Sequence, residues 1–302
     1  MKKITSAFVC ILILAALTLI CGAAENKPLY LDPSQPVDAR GKDLLSRMTV
    51  AEKMEQLTEN DMAIPGNKRL GIPRLQHVEA LHGYQAGTGA ASFPNSIALA
   101  STWNPKIVEK VADAIGAETV AAHAQQAWSP LMDVARDPRW GRMEETYGED
   151  TYLVSRMGVA FIEGFQSHGL FATPKHFAAH GAPWGGRDSH DVGYSERVMR
   201  ELYLPSFRAA IEEAHAGSLM SSYSTWFDTP AVASEYLLKG ILRDEWGFEG
   251  FIVSDCGSIE NLYEKHGVAE DYVDAARQAL KAGVSCNCGY DYGRPDVIIA
   301  AQ

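Results

Sequence analysis

Of the 302 residues, 46% are hydrophobic and 22% charged, a globular composition long enough for one large core or two modest ones, which excludes a disordered or fibrous chain. The formal net charge is −11 and there is no basic run beyond Met1, Lys2 and Lys3. Phosphate binding needs clustered Lys and Arg, so nucleic acid is excluded as a partner and a neutral or small-molecule ligand is expected.

The chain opens MKKITSAFVCILILAALTLICGAA: a basic start, an apolar stretch, then small residues. This pattern predicts a signal peptide over residues 1–24, with cleavage near Ala24 and a periplasmic or extracellular destination. Thr5, Ser6 and Thr18 interrupt the apolar segment, which is short for a bilayer span, so no stable membrane association is expected after cleavage. Cys10 and Cys21 lie in this leader, leaving Cys256, Cys286 and Cys288. An odd, sparse set predicts no disulfide framework. Cys286 and Cys288 are too close for an easy bridge and lack the companions of a zinc site, so they read as small strand-end residues.

Residues 25–38 carry Pro28, Pro33 and Pro36 and predict an extended lead-in, with the packed domain running over 39–302. Thr49, with Glu52 three residues on, forms a capping box that opens a helix. Strand-like runs then alternate with helical segments: PRLQHVEA before 105–124, AWSPLMDV before 152–167, LFATPKHFAA before 195–214, GSLMSSYS before 234–246, GFIVSDC before 272–282, and finally VSCNCG. Ile107, Val111 and Ile115 set the stripe of the first of these helices, and Pro205 is expected to kink or split the third.

Such a series makes an open doubly wound sheet or a closed barrel. The first strand is followed by no Gly-rich phosphate fingerprint. Polar residues recur at strand ends: Glu79, Asp133, Lys175 with His176, Tyr223 and Asp255. In a barrel those ends converge on one pocket, so the fold expected is α/β, a TIM-type (β/α)8 barrel. About six strands are readable and the sequence stops at DVIIAAQ, which suggests a barrel incomplete at its C-terminus and a truncated gene product.

Asp255 closes the apolar run GFIVS, where an isolated carboxylate is costly unless hydrogen bonds or cations compensate. It suits a nucleophile toward an acetal carbon, and equally a helix N-cap. In RDPRWGRMEETYGED most of the charges read as structural ion pairs, although an Arg aimed inward could fork onto vicinal hydroxyls. Lys175 and His176 are adjacent, so both reach one pocket only if the strand end is distorted. Trp128, Trp140, Trp184, Tyr223 and Trp226 crowd the same loops, offering apolar faces to a sugar ring.

Together the stretches EALHG (79–83), FPNSIALASTWN (93–104), RDPRWGR (136–142), ETYGED (145–150), KHFAAHG (175–181), GGRD (185–188), SERVMRELYLPSF (195–207), LMSSYS (219–224) and GFIVSDCGSI (250–259) resemble the N-terminal domain of glycoside hydrolase family 3. The resemblance implies an exo-acting retaining β-glycosidase, a β-glucosidase first and a β-xylosidase as the alternative, acting on β-linked oligosaccharides or aryl glycosides without cofactor or metal. By motif, it implies Asp255 as nucleophile, and Glu79, Arg142, Lys175, His176 and Tyr223 around the terminal sugar. It also implies that the general acid/base stands on a second domain. Two rivals remain: a β-N-acetylhexosaminidase using an Asp188/His190 acid in the D-S-H tripeptide, and a non-catalytic carbohydrate-binding barrel. The oligomeric state is not readable.

Overall fold

The computed structural model describes residues 27–84, 89–289 and 291–302; the signal-like segment 1–24 lies outside them. Two compact units divide between Thr49 and Val50. In the first, Leu29–Leu31 forms one tight turn and Val37–Arg47 a helix, so the expected lead-in is partly helical. Among the described residues no helix is long and apolar enough to cross a membrane.

In the second unit the expected strands form as short parallel pieces. β2 (Leu75–Val78) pairs with β3 (Gln126–Ala127), β3 with β4 (Phe171–Ala172), and β5 (Ser218–Met220) with β8 (Phe251–Val253). Isolated bridges join Phe177 to Ser221 and Val253 to Cys286, extending the ladder around the ring. Asn287 then pairs with Thr58, whose segment runs into β1 (Ala63–Ile64), antiparallel to β2. The ring thus passes through segment 57–64, which the sequence reading missed because it is short, contains Glu59, Asn60 and Asp61, and lacks a β-branched run. This is a TIM-type α/β barrel. β5 is buried along its whole length, the mark of a strand covered on both faces.

The surrounding helices follow local signals. Pro105–Ala121 starts with proline at its first position, and the Asn104 side chain accepts the Lys106 N–H. Asp150 caps Thr151–Gln166 and Asp271 caps Tyr272–Ala282 in the same way. The stripe of the first helix differs from expectation. Val108, Ala112, Ile115 and Thr119 are buried, whereas Ile107 is exposed. Small residues decide this: a Cβ on Gly164 would sit 2.3 Å from the Glu109 carbonyl oxygen, so the helix carrying Gly164 packs backbone-close on the Ala112 face. Pro205 does split its helix, with a wide turn over Met199–Tyr203 and a fresh helix Pro205–Glu212. Beyond β5 lies an unforeseen hairpin, β6 (Thr225–Trp226) with β7 (Thr229–Pro230), whose Trp226 is buried in the core.

Candidate active site

Barrel strands deliver their C-terminal residues to one mouth. Lys175 Nζ donates to Glu79 Oε2 at 2.8 Å, tying the end of β2 to the segment after β4. His176 stands between two carboxylates, its Nδ1 2.8 Å from Asp133 Oδ2 and its Nε2 3.5 Å from Asp255 Oδ2. Lys175 and His176 both reach this pocket, and the peptide joining them is cis. Tyr223 completes the wall, its hydroxyl donating to the Cys256 carbonyl at 2.6 Å, one residue beyond Asp255. The structure therefore brings Glu79, Lys175, His176, Tyr223 and Asp255 together.

Asp255 is nearly buried, and burial pushes its carboxyl above the ordinary aspartate range; Lys175 and His180 pull the other way. Oδ1 accepts the Cys256 N–H at 2.8 Å, while Oδ2 has no hydrogen-bond partner among the described residues. One oxygen is anchored and the other is left open to a ligand. Burial raises Asp133 to about 6 and lowers His176 well below the usual imidazole range. A neutral His176 that donates from Nδ1 to Asp133 leaves Nε2 as an acceptor for a ligand hydroxyl, an assignment of tautomer made from these bonds.

Removing the Lys175 charge withdraws the largest influence that lowers the Asp255 pKa. If Asp255 attacks as its carboxylate, Lys175→Met should move the acid limb of that reaction to higher pH. The pH profile of covalent trapping by an activated fluoroglycoside checks this; an unmoved limb would show that the ammonium does not act on Asp255.

Arg142 reaches the same pocket with only part of its guanidinium. Its Nε and Nη2 fork onto Glu145 at 2.8 and 2.7 Å, and Nη1 faces His176 Nε2 at 3.5 Å and His180 Nε2 at 3.4 Å. The fork is occupied by a carboxylate, so what Arg142 offers the pocket is Nη1. His180, which the sequence reading passed over, is fully buried with its ring 4.5 Å from that of His176. Its signal was there in K-H-F-A-A-H, a second imidazole four residues after the first. Asp188 lies 3.0 Å from His180 Nε2 and accepts the Trp140 indole N–H at 2.9 Å; the His180 bond above all holds its pKa down to about 2. His190 is exposed, beside a neighbouring cleft. The Asp188/His190 pairing expected of the hexosaminidase rival is thus replaced by Asp188 with His180. Of the aromatics, Trp140 joins the site, Trp128 stacks on His77 with ring centroids 4.5 Å apart, and Trp184 lies in a separate groove.

The cysteine reading is corrected. Cys256 and Cys288 form a disulfide with Cα atoms 4.3 Å apart, and Cys286 is the buried free thiol. The partners sit on neighbouring segments: Gly257 N–H donates to the Cys288 carbonyl at 3.0 Å, and Cys288 N–H donates to Ser254 Oγ at 3.0 Å. A separation of 32 residues hides that adjacency in the sequence. Among the described residues, no three His, Cys, Asp or Glu side chains group as metal ligands.

The description "Glycosyl hydrolase family 3 N terminal domain" matches residues 43–288. The chain belongs to glycosyl hydrolase family 3. A β-xylosidase of Formosa agariphila is 42% identical to this family 3 domain over 277 residues, covering 87% of the chain. A periplasmic β-glucosidase of Salmonella typhimurium is 38% identical over 247 residues, covering 80%. The chain spans 38% and 31% of those two proteins. Among solved structures, a β-glucosidase from Erythrobacter marinus superposes with TM-score 0.82 at 32% identity, over 91% of this chain and 44% of that one. A family 3 exo-β-xylosidase in complex with a xylobiose aziridine probe superposes with TM-score 0.83 at 27% identity, over 93% and 40%.

Proposed function

We propose that this domain supplies the sugar pocket and nucleophile of an exo-acting, retaining β-D-glycosidase. The observation that carries it is Asp255 Oδ2, buried, without a hydrogen-bond partner among the described residues, and 3.5 Å from His176 Nε2 at the mouth of the barrel. In the first step the Asp255 carboxylate forms a bond to the anomeric carbon. The glycosidic C–O bond breaks, and its electron pair leaves with the aglycone oxygen, which takes up a proton. Water then cleaves the ester and restores the carboxylate. Glu79, Lys175, His176, Arg142 Nη1 and Tyr223 surround the ring and would bind its hydroxyls.

A glucoside was the first expectation from sequence. A xyloside has equal support, because the Formosa β-xylosidase is 42% identical and the Salmonella β-glucosidase 38%. Dinitrophenyl glycosides separate the readings, since a dinitrophenolate departs with little help from an acid. Turnover or a burst on the β-xyloside or β-glucoside, with little on the N-acetylglucosaminide, is expected. Activity confined to the N-acetylglucosaminide and removed by His190→Ala would establish the hexosaminidase instead; none on any substrate, with sugar still bound, would leave a binding barrel. Export is part of the same proposal, supported by the leader-like residues 1–24 and by a disulfide, which belongs in an oxidising compartment.

A further inference from the structure

We propose that Asp188 is a positioning residue: by holding the proton of His180 on Nε2, it keeps one N–H of Arg142 available to a hydroxyl of the bound sugar. The inference deepens the reading above and rests on it.

Glu145 takes the Nε and Nη2 side of the Arg142 guanidinium, so Nη1 and its two hydrogens are what face the pocket. Nη1 lies between two imidazoles, 3.5 Å from His176 Nε2 and 3.4 Å from His180 Nε2. An unprotonated Nε2 accepts from a guanidinium, and two of them would take both hydrogens. His176 has the accepting form, because its Nδ1 donates to Asp133. His180 decides whether any donor is left over. Its Nε2 is 3.0 Å from Asp188 Oδ1, and the Asp188 pKa is lowered to about 2, so that oxygen is an acceptor at any pH near neutrality. The proton of His180 therefore belongs on Nε2, directed at Asp188. The other ring nitrogen agrees: Nδ1 is buried with no partner among the described residues, where a proton would be stranded.

The carboxylate is held in place for this task. Asp188 Oδ1 also accepts the Trp140 indole N–H at 2.9 Å, so two donors converge on one oxygen. Trp140 is buried, stands edge-on to His180 with ring centroids 5.2 Å apart, and lies under the Arg142 guanidinium at 5.6 Å. The glycines of G-G-R-D bring Asp188 there. Gly186 has φ 68°, and a Cβ on it would stand 2.4 Å from the Arg139 Cβ, so the turn lies directly on the segment that carries Trp140. Without the carboxylate, a proton on His180 Nε2 would face Arg142 Nη1 donor to donor. Moving that proton to Nδ1 converts the clash into a hydrogen bond, and the imidazole then captures the donor that the sugar needs.

The test reads trapping of the 302-residue protein by dinitrophenyl 2-fluoroxyloside and 2-fluoroglucoside as a half-saturating concentration and a saturated rate constant. For whichever sugar traps, Asp188→Ala should raise the half-saturating concentration roughly tenfold, the loss of one charge-assisted hydrogen bond, and leave the saturated rate constant within about threefold. Asp188→Asn keeps an oxygen for both donors and should restore both readings to within about threefold of the native chain. Asp188 is half exposed, and circular dichroism checks that each variant folds. Nitrogen-15 NMR of labelled histidine, with His180 assigned through its proximity to the Trp140 indole proton, should find the proton on Nε2 in the native chain and on Nδ1 in Asp188→Ala. A native Nδ1–H form, or an Asp188→Ala chain that half-saturates like its parent, overturns the proposal. So does a fall in the saturated rate constant alone, which would mark a merely structural role. The tautomer is read without sugar, so the two failures are distinguishable: a chain whose His180 proton shifts as expected but which traps neither fluoroglycoside keeps the lock and sinks the glycosidase reading.

Discussion

Asp255→Asn lowers turnover of an activated β-glycoside by about 10⁴-fold or more, the scale seen when a covalent nucleophile is removed. A 2-deoxy-2-fluoro glycoside with a dinitrophenolate leaving group should label the peptide carrying Asp255 in the native chain and nothing in the variant. The same change spares the fold. Asn keeps an oxygen to accept the Cys256 N–H. Burial raises the Asp255 pKa, so ionising it costs stability at any pH above the folded value. Asn lifts that cost, so the variant should melt at the same temperature as the parent or higher near pH 7. The advantage should fade as pH falls through the raised value toward the ordinary aspartate range, where both forms are neutral. Loss of activity with an unchanged or raised melting temperature is the signature of a group kept for chemistry; a labelled residue other than Asp255 would end the assignment.

The barrel and much of its site were readable because they obey local rules. Several strand segments end at a polar residue, so Glu79, Lys175, Tyr223 and Asp255 stand out by position. The helix starts read at 105, 152 and 272 lie within one residue of those observed, where Asn104, Asp150 and Asp271 supply caps that had not been named. Long-range facts escaped. Nothing near Thr58 says that it pairs with Asn287, and nothing near Asp188 says that its carboxylate turns back to His180 instead of on to His190. Arg142 shows the limit most clearly. A guanidinium forks equally well onto a sugar or a carboxylate, and Glu145, three residues on, takes the fork. The joint presence of Lys175 and His176 was legible only as a requirement for distortion, which the backbone meets.

The disulfide is the fact most hidden from sequence, and its loss should have the second large effect. Cys256 follows Asp255 directly, and Cys288 holds the segments on either side through Gly257 and Ser254. Closing a loop of this length is worth about 3.7 kcal/mol, largely by restricting the unfolded chain. Cys256→Ser with Cys288→Ser, or reduction of the native chain, should therefore lower the melting temperature by roughly 7–15 °C, taking 2–4 °C per kcal/mol for a domain of this size. A chain produced without residues 1–24 in a reducing compartment should resemble the double variant until oxidised. Restoration by oxidation separates this from a packing defect, because serine cannot be rescued in that way. The bond also bears on chemistry. Tyr223 donates to the Cys256 carbonyl and Asp255 accepts from the Cys256 N–H, so the backbone at Cys256 positions both groups at the pocket floor. Reduction at a temperature where the chain stays folded should slow trapping at Asp255, while reduction that leaves both melting and trapping unchanged would show that hydrogen bonds alone hold Asp255 in place.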